Sequence, residues 1–273
     1  MDQRDRIAAM FDQAADSYDQ VGVELFQPIA ERLVRELAPQ PGEHAVDLGC
    51  GRGAALLRLA AAVAPTGRTV GLDLAPRMVQ AAAEGAARAG HSVDVVIGDA
   101  QSPELPPGSF DVVASSLVAF FLPDPAAAVR AWRHLLVDHG RLGVSTFGAF
   151  SPWWAQVDAV FAPFLPPAML DARTTGTQGP FASDDGVEQL LADAGFGSVR
   201  TVGEVLPVRF DDVAHWYRWT MSTGQRFFWH LVPDEQHASV YAAAAAALDD
   251  TRHHTGDGRI GFDQRIRYTI GHR

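Results

Sequence analysis

Three carboxylates and a glycine loop are the residues whose types and spacing point to chemistry. Ala45-Val46-Asp47-Leu48-Gly49-Cys50-Gly51-Arg52-Gly53 is an apolar run that breaks into alternating glycines. Glycine lets the backbone turn tightly and come close to a ligand. A helix N-terminus behind such a loop favours a carboxylate or phosphate. Gly49, Gly51 and Ala54 also satisfy the permissive dinucleotide pattern, so the loop alone does not select a ligand. The acids do more. Asp47, near the end of a first strand, is placed to accept from an ammonium or a water. Asp73, ending a second strand, suits a ribose diol. Asp99, within Gly98-Asp99-Ala100 at the end of a third, can accept from an adenine amino group. A ligand joining adenosine to an amino acid uses all three acids. A dinucleotide has no need of the third, and Asp47 repels its pyrophosphate.

The remaining candidates are weighed against plainer readings. His215 and His230 fall in a late helical block, and His215 is the candidate general base; a hydrogen-bonded structural histidine is the competing reading. His253, His254 and Asp257 lie in a loop before the last strand and are read as surface residues, with no metal expected. Trp153, Trp154, Trp216, Trp219 and Phe228 read as the wall of an apolar substrate pocket, or as the core of a small helical cap. The chain contains no lysine, which rules out lysine Schiff-base chemistry and a Walker lysine. Cys50 is the single cysteine, so neither an intramolecular disulfide nor a zinc site with two cysteine ligands is available.

The elements that must hold these residues alternate. Strands are expected at 44–49, 68–74, 93–99, 110–117, 140–147, 199–210 and 260–270. Helices lie between them, with readable ends. One stops at Pro65-Thr66-Gly67. Another starts at Pro76 and stops at Gly90. A third has Asp124 as N-cap and Pro125 in its first turn, and runs to about 139. This is an α/β pattern of parallel strands covered on both faces. Two helices are expected within 4–37, a helix over 184–194, an exposed loop over 174–180, and a helical block over 211–250. The expected organisation is a single domain over 1–273. Its N-terminal helices (1–40) and two insertions (150–182 and 211–256) form a helical cap over the substrate site.

Composition sets bounds. The chain has 273 residues, 47% hydrophobic and 20% charged, and a net charge of −11. These are globular values, and the acidity argues against nucleic-acid binding. The polar start carries no apolar secretory core, and the near-apolar run 112–122 is too short to span a bilayer. A cytoplasmic protein with no membrane partner is expected, with a homodimer through the aromatic cap as one arrangement.

In its motifs the chain resembles the class I S-adenosylmethionine-dependent methyltransferases, closest to the small-molecule branch of ubiquinone/menaquinone-type and natural-product enzymes. The matching segments are AVDLGCGRG (45–53), VGLDLAPRMVQAA (70–82), GDAQSPELPPGSFDVVASS (98–116) and LLVDHGRLGVSTF (135–147). Tyr18-Asp19 and the late strand also match. The resemblance implies a Rossmann-like, doubly wound, seven-stranded sheet of order 3-2-1-4-5-7-6 with the last strand antiparallel. It implies S-adenosyl-L-methionine as cofactor, with S-adenosyl-L-homocysteine as product. Asp47, Gly49 and Gly51 would hold the methionine moiety, and Asp73 the ribose. Leu74 and Met78 would flank the adenine, and Asp99 and Ala100 would meet its edge. Ser115 would lie at the methionyl side, and Tyr18 would close over the cofactor. Many relatives carry a histidine after the fourth strand where this chain reads Ala119-Phe120-Phe121. The function implied is methyl transfer to an apolar, aromatic or isoprenoid small molecule, mainly by proximity and alignment. A cofactor-bound cyclase or isomerase on the same fold, and a nicotinamide-dependent oxidoreductase, are the alternatives.

Overall fold

The computed structural model describes residues 3–165 and 179–273. Most of the expected loop over 174–180 lies outside the described residues. The sheet has seven strands in the order β3-β2-β1-β4-β5-β7-β6, as expected. They are β1 (His44–Leu48), β2 (Arg68–Asp73), β3 (Asp94–Ile97), β4 (Phe110–Ser116), β5 (Leu136–Phe150), β6 (Gly197–Phe210) and β7 (Ile260–His272). β1 pairs in parallel with β2 and β4, β2 with β3, and β4 with β5. β7 runs antiparallel between β5 and β6. Order reverses between β1 and β4, so the loops after these strands diverge and leave a crevice at their carboxyl ends.

Two helices precede the sheet, α1 (Gln3–Ala14) and α2 (Phe26–Leu37). α2 buries Ile29, Ala30, Leu33, Val34 and Leu37, one stripe at helical spacing. It packs on α3 (Ala54–Val63) and on β4, β5 and β7. α4 (Pro76–Ala89) starts with proline in its first turn and ends on Gly90 at φ +74, as its sequence demands. α5 (Pro125–Leu135) is capped by the Asp124 carboxylate, which accepts from Ala127 N at 2.8 Å. It ends at Leu135, short of the expected 139, because Leu136 is already extended and pairs with Phe110. The turn expected to end the helix is instead an irregularity inside β5, with His139 at φ +68.

α6 (Ala155–Ala159) follows β5, and α7 (Asp184–Asp193) leads into β6. The expected helical block between β6 and β7 is α8 (Val213–Ser222), α9 (Arg226–Leu231) and α10 (His237–Asp250). None of the described helices is long and apolar enough to cross a membrane.

Candidate functional site

The crevice at the reversal is floored by the glycine loop. Gly49 N and Cys50 N both donate to Leu72 O, at 2.7 and 3.0 Å, which binds the loop to β2. Gly49, Gly51 and Gly53 all have left-handed φ, of +76, +52 and +94. Two of them matter differently. A Cβ on Gly49 would lie 2.4 Å from Val118 Cγ2, so that glycine is required by the chain's own packing. A Cβ on Gly51 would meet nothing within 4 Å. The loop therefore presents open backbone at Gly51, where a ligand can approach.

Asp47 lies under this loop with 1% of its surface exposed. Its Oδ1 has no hydrogen-bond partner. Burial pushes the carboxyl from 3.8 up to about 7; a backbone hydrogen bond from Leu56, in the first turn of α3, opposes this, and nearby Asp73 adds to it. A buried acceptor without a donor is costly, so this oxygen is the site's clearest demand for a cationic or hydrogen-bonding ligand group. Asp73 is satisfied by backbone. Its Oδ2 accepts from Gly51 N at 2.8 Å and its Oδ1 from Ala75 N at 2.9 Å. It therefore ties the tip of the glycine loop to the end of β2, while burial raises its pKa against those bonds. Asp99 accepts from Gln101 N at 2.8 Å on Oδ1, and Arg4 Nη1 stands 3.5 Å from Oδ2.

Asp73, Asp99 and the glycine loop line one cleft; Asp47 is not among its lining residues and is buried behind the loop. Tyr18, Gly49, Gly51, Asp73, Leu74, Met78, Asp99 and Ala100 all face it. So do Arg4, Ile7, Ala8 and Phe11, the inner face of α1, and Ser116, Leu117, Val118 and Phe121 after β4. Tyr18 stacks on Phe26 at 4.8 Å and meets Phe11 edge-on at 5.9 Å. Burial pushes the Tyr18 hydroxyl well above its ordinary pKa, with Asp19 and Asp73 adding to it. Met78 packs with Ala15, Ala75, Phe11 and Tyr18, so α1 and the turn behind it form the cover. Polar contacts fasten that cover. Arg77 N donates to Asp12 Oδ1 at 2.8 Å, the Arg77 guanidinium pairs with Asp16, and Arg52 donates to Ala15 O.

The other sequence candidates fall elsewhere. Ser115 is fully buried and donates to Leu48 O at 3.1 Å, so it points into the sheet; its neighbour Ser116, on the opposite face of the strand, lines the cleft. His215 does not line the cleft. Its Nε2 lies 2.8 Å from Val21 O and its Nδ1 is 3.2 Å from Asp211 N. With Nε2–H donating and Nδ1 accepting, both nitrogens meet backbone, the Asp211 carboxylate also stands 3.3 Å from Nδ1, and the ring bolts α8 to the segment after Tyr18. Trp154, Trp216 and Trp219 are buried in a ring cluster with Phe210, Phe262 and Trp229, and do not line the cleft either. Trp153 stacks on His254 at 5.2 Å, and Phe228 packs beside Phe161 at 5.9 Å. Asp257 pairs with Arg209 at 3.4 Å. Among the described residues no three His, Cys, Asp or Glu side chains gather into a metal site.

The α1 residues were missed by motif reading. Arg4, Ile7, Ala8 and Phe11 do carry a signal, a helical i, i+3, i+4, i+7 face. Nothing in the sequence says that this face turns toward the glycine loop.

Comparison with known proteins gives a consistent picture. Residues 46–144 match a family model described as a methyltransferase domain. The chain is 38% identical to nocamycin O-methyltransferase of Saccharothrix syringae, over 96% of each chain. In overall fold it is similar to the YcgJ protein from Bacillus subtilis, with a TM-score of 0.57 at 17% identity, covering 90% of this chain and 98% of that one. It is also similar to the [4+2]-cyclase SpnF, with a TM-score of 0.52 at 20% identity, covering 90% of this chain and 81% of that one. At these identities the two structural likenesses speak to fold alone.

Proposed function

Since the chain belongs to the class I S-adenosylmethionine-dependent methyltransferases of natural-product biosynthesis, we propose that it methylates an oxygen atom of an apolar small molecule held beside the cofactor cleft. The choice of oxygen follows the relative named an O-methyltransferase. The cofactor supplies a methyl group on a sulfonium, already a good electrophile.

The observation that carries the reading is the unpartnered Asp47 Oδ1 under the open Gly51 backbone. The donor set fits an adenosyl amino acid. Asp47 offers a buried carboxylate to the ammonium, and Asp73 stands at the end of β2 for the ribose hydroxyls. Leu74 and Met78 give apolar flanks to the adenine, and Asp99 with Ala100 offers its edge an acceptor and backbone. Ser116 takes the methionyl place first expected of Ser115.

The chain's own work is positioning. α1 and Tyr18 exclude water from the cleft, and Phe11 and Phe121, 5.6 Å apart and edge-on, give the acceptor side an apolar wall. Holding nucleophile and electrophile in line supplies most of the acceleration such a reaction needs. His215 enters as a bolt between α8 and the Tyr18 segment. The tryptophans around Phe210 and Phe262 hold the helical block rigid beside the sheet.

The test is incubation with methyl-deuterated cofactor and apolar phenols and carboxylic acids, read by mass and NMR. An O-linked labelled methyl supports the reading. Label on nitrogen or carbon, or conversion with unchanged mass, overturns it, the last in favour of a cyclase or isomerase.

A further inference from the structure

Asp99 is the acid that the proposed reading gives to the adenine, and the inference here rests on that assignment. Its Oδ1 is occupied by Gln101 N at 2.8 Å. Its side chain is 25% exposed, and Arg4 Nη1 stands 3.5 Å from the other oxygen, Oδ2. Arg4 arrives from the first turn of α1, on the same helical face as Ile7, Ala8 and Phe11, and all four line the cleft. The oxygen open to an incoming amino group is thus the oxygen that a guanidinium already addresses.

We infer that Arg4 is a cofactor-site residue that competes with the adenine for Asp99 Oδ2 and so sets the affinity and selectivity of nucleoside entry. A neutral nucleoside must displace the guanidinium to reach that oxygen. The adenine amino group repays the exchange with a hydrogen bond, whereas a base presenting a carbonyl at that edge leaves Asp99 facing an acceptor. The pair is partly exposed, with Arg4 at 55%, so it is worth little in water and is weakened by salt. Its loss leaves α1 seated, because Arg77 with Asp12 and Asp16, and Arg52 with Ala15 O, hold the helix independently.

Two consequences are opposite to those of an ordinary binding arginine. Arg4→Gln tightens nucleoside binding, by about two- to five-fold for a surface ion pair. Salt strengthens binding to the wild type and leaves the variant flat. The probe is 5′-methylthioadenosine, an uncharged nucleoside with no salt dependence of its own. It is titrated calorimetrically into wild type and Arg4→Gln at low salt and at about 0.5 M NaCl. Tighter binding by the variant, together with a salt-induced gain confined to the wild type, is the expected result. Equal or weaker binding by Arg4→Gln overturns the inference while leaving the cofactor site intact. Absence of binding to either protein overturns the Asp99 assignment and the Arg4 inference together. Limited trypsin digestion at Arg6 reports separately that α1 stays docked in the variant.

Discussion

Asp47 offers the sharpest quantitative test of how the cleft recognises its ligand. Its carboxyl is 1% exposed and titrates near about 7 instead of 3.8. An ammonium placed on Oδ1 favours the charged form and drives that pKa down. At pH 7 about half the molecules carry the proton, so binding S-adenosylhomocysteine releases about 0.5 proton from Asp47. The ligand's own α-amino group stands beside a free carboxylate and is already an ammonium at pH 7, so it takes up almost nothing. The net is a release of about 0.5 proton at pH 7, rising toward about 0.9 at pH 6 and fading as pH rises above 7. Calorimetry in buffers of different ionisation enthalpy reads this directly. Asp47→Asn removes the release, with weaker binding. The same residue governs stability in the opposite sense to a salt-bridged acid. Its native pKa is raised, so the cost of the buried charge is absent below about pH 4, grows to about pH 7 and is complete above. The distance from 3.8 to about 7 corresponds to about 4 kcal/mol for a fully buried group. Asp47→Asn is therefore more stable than wild type at pH 8 but not at pH 4. Wild-type binding without proton release at pH 6, or equal release from the variant, would refute the assignment of Asp47 to the ammonium.

Other outcomes follow from single contacts. Asp73→Ala removes the acceptor for Gly51 N and Ala75 N, two charge-assisted bonds worth about 1.5–3 kcal/mol each, so S-adenosylhomocysteine affinity falls at least about 100-fold in a titration. Gly49→Ala puts a methyl 2.4 Å from Val118 at a φ of +76 and costs about 1–3 kcal/mol by denaturant unfolding; an unchanged midpoint would contradict that packing. His215→Ala loses its bonds to Val21 O and Asp211 N, with a stability loss of about 1–3 kcal/mol and a retained turnover per folded molecule. A collapse of turnover with unchanged stability would restore His215 as a base. Asp184 is held down to about 2, first by its hydrogen bond to Arg265 and then by Arg267. Its stabilisation is present above about pH 4 and is lost as pH falls toward 2. Asp184→Asn therefore melts below wild type at pH 6, and the two curves converge near pH 2.

The sheet order was legible through the family resemblance, while the glycine turn and the strand-end places of the acids are written in local chemistry. The glycines at 49, 51 and 53 and the strand-end acids Asp73 and Asp99 follow from backbone φ and strand position, which neighbouring residues set. The acceptor side was less legible. The tryptophans of 153–154 and 216–229 have the composition of a pocket wall, yet four of the five pack on Phe210, Phe262 and one another, and Trp153 stacks on His254. Ring-rich helices bury rings whether or not a ligand is near, and composition does not distinguish the two. Ser115 and Ser116 differ only by the alternation of a strand, and a one-residue choice of face exchanges core for cleft. α1 was readable as a helix and as part of a cap, but the face it turns to the cleft was not, since its docking depends on Arg52 and Arg77, which are distant in sequence.

The central claim is that the cleft under α1 holds the adenosyl amino acid on Asp47, Asp73 and Asp99. Calorimetric titration of the intact protein with S-adenosylhomocysteine, with Asp73→Ala and NADH as controls, tests it most directly. The account predicts one site per chain, binding that the variant loses, and no binding of NADH. Failure to bind S-adenosylhomocysteine, or binding that Asp73→Ala leaves unchanged, would contradict it.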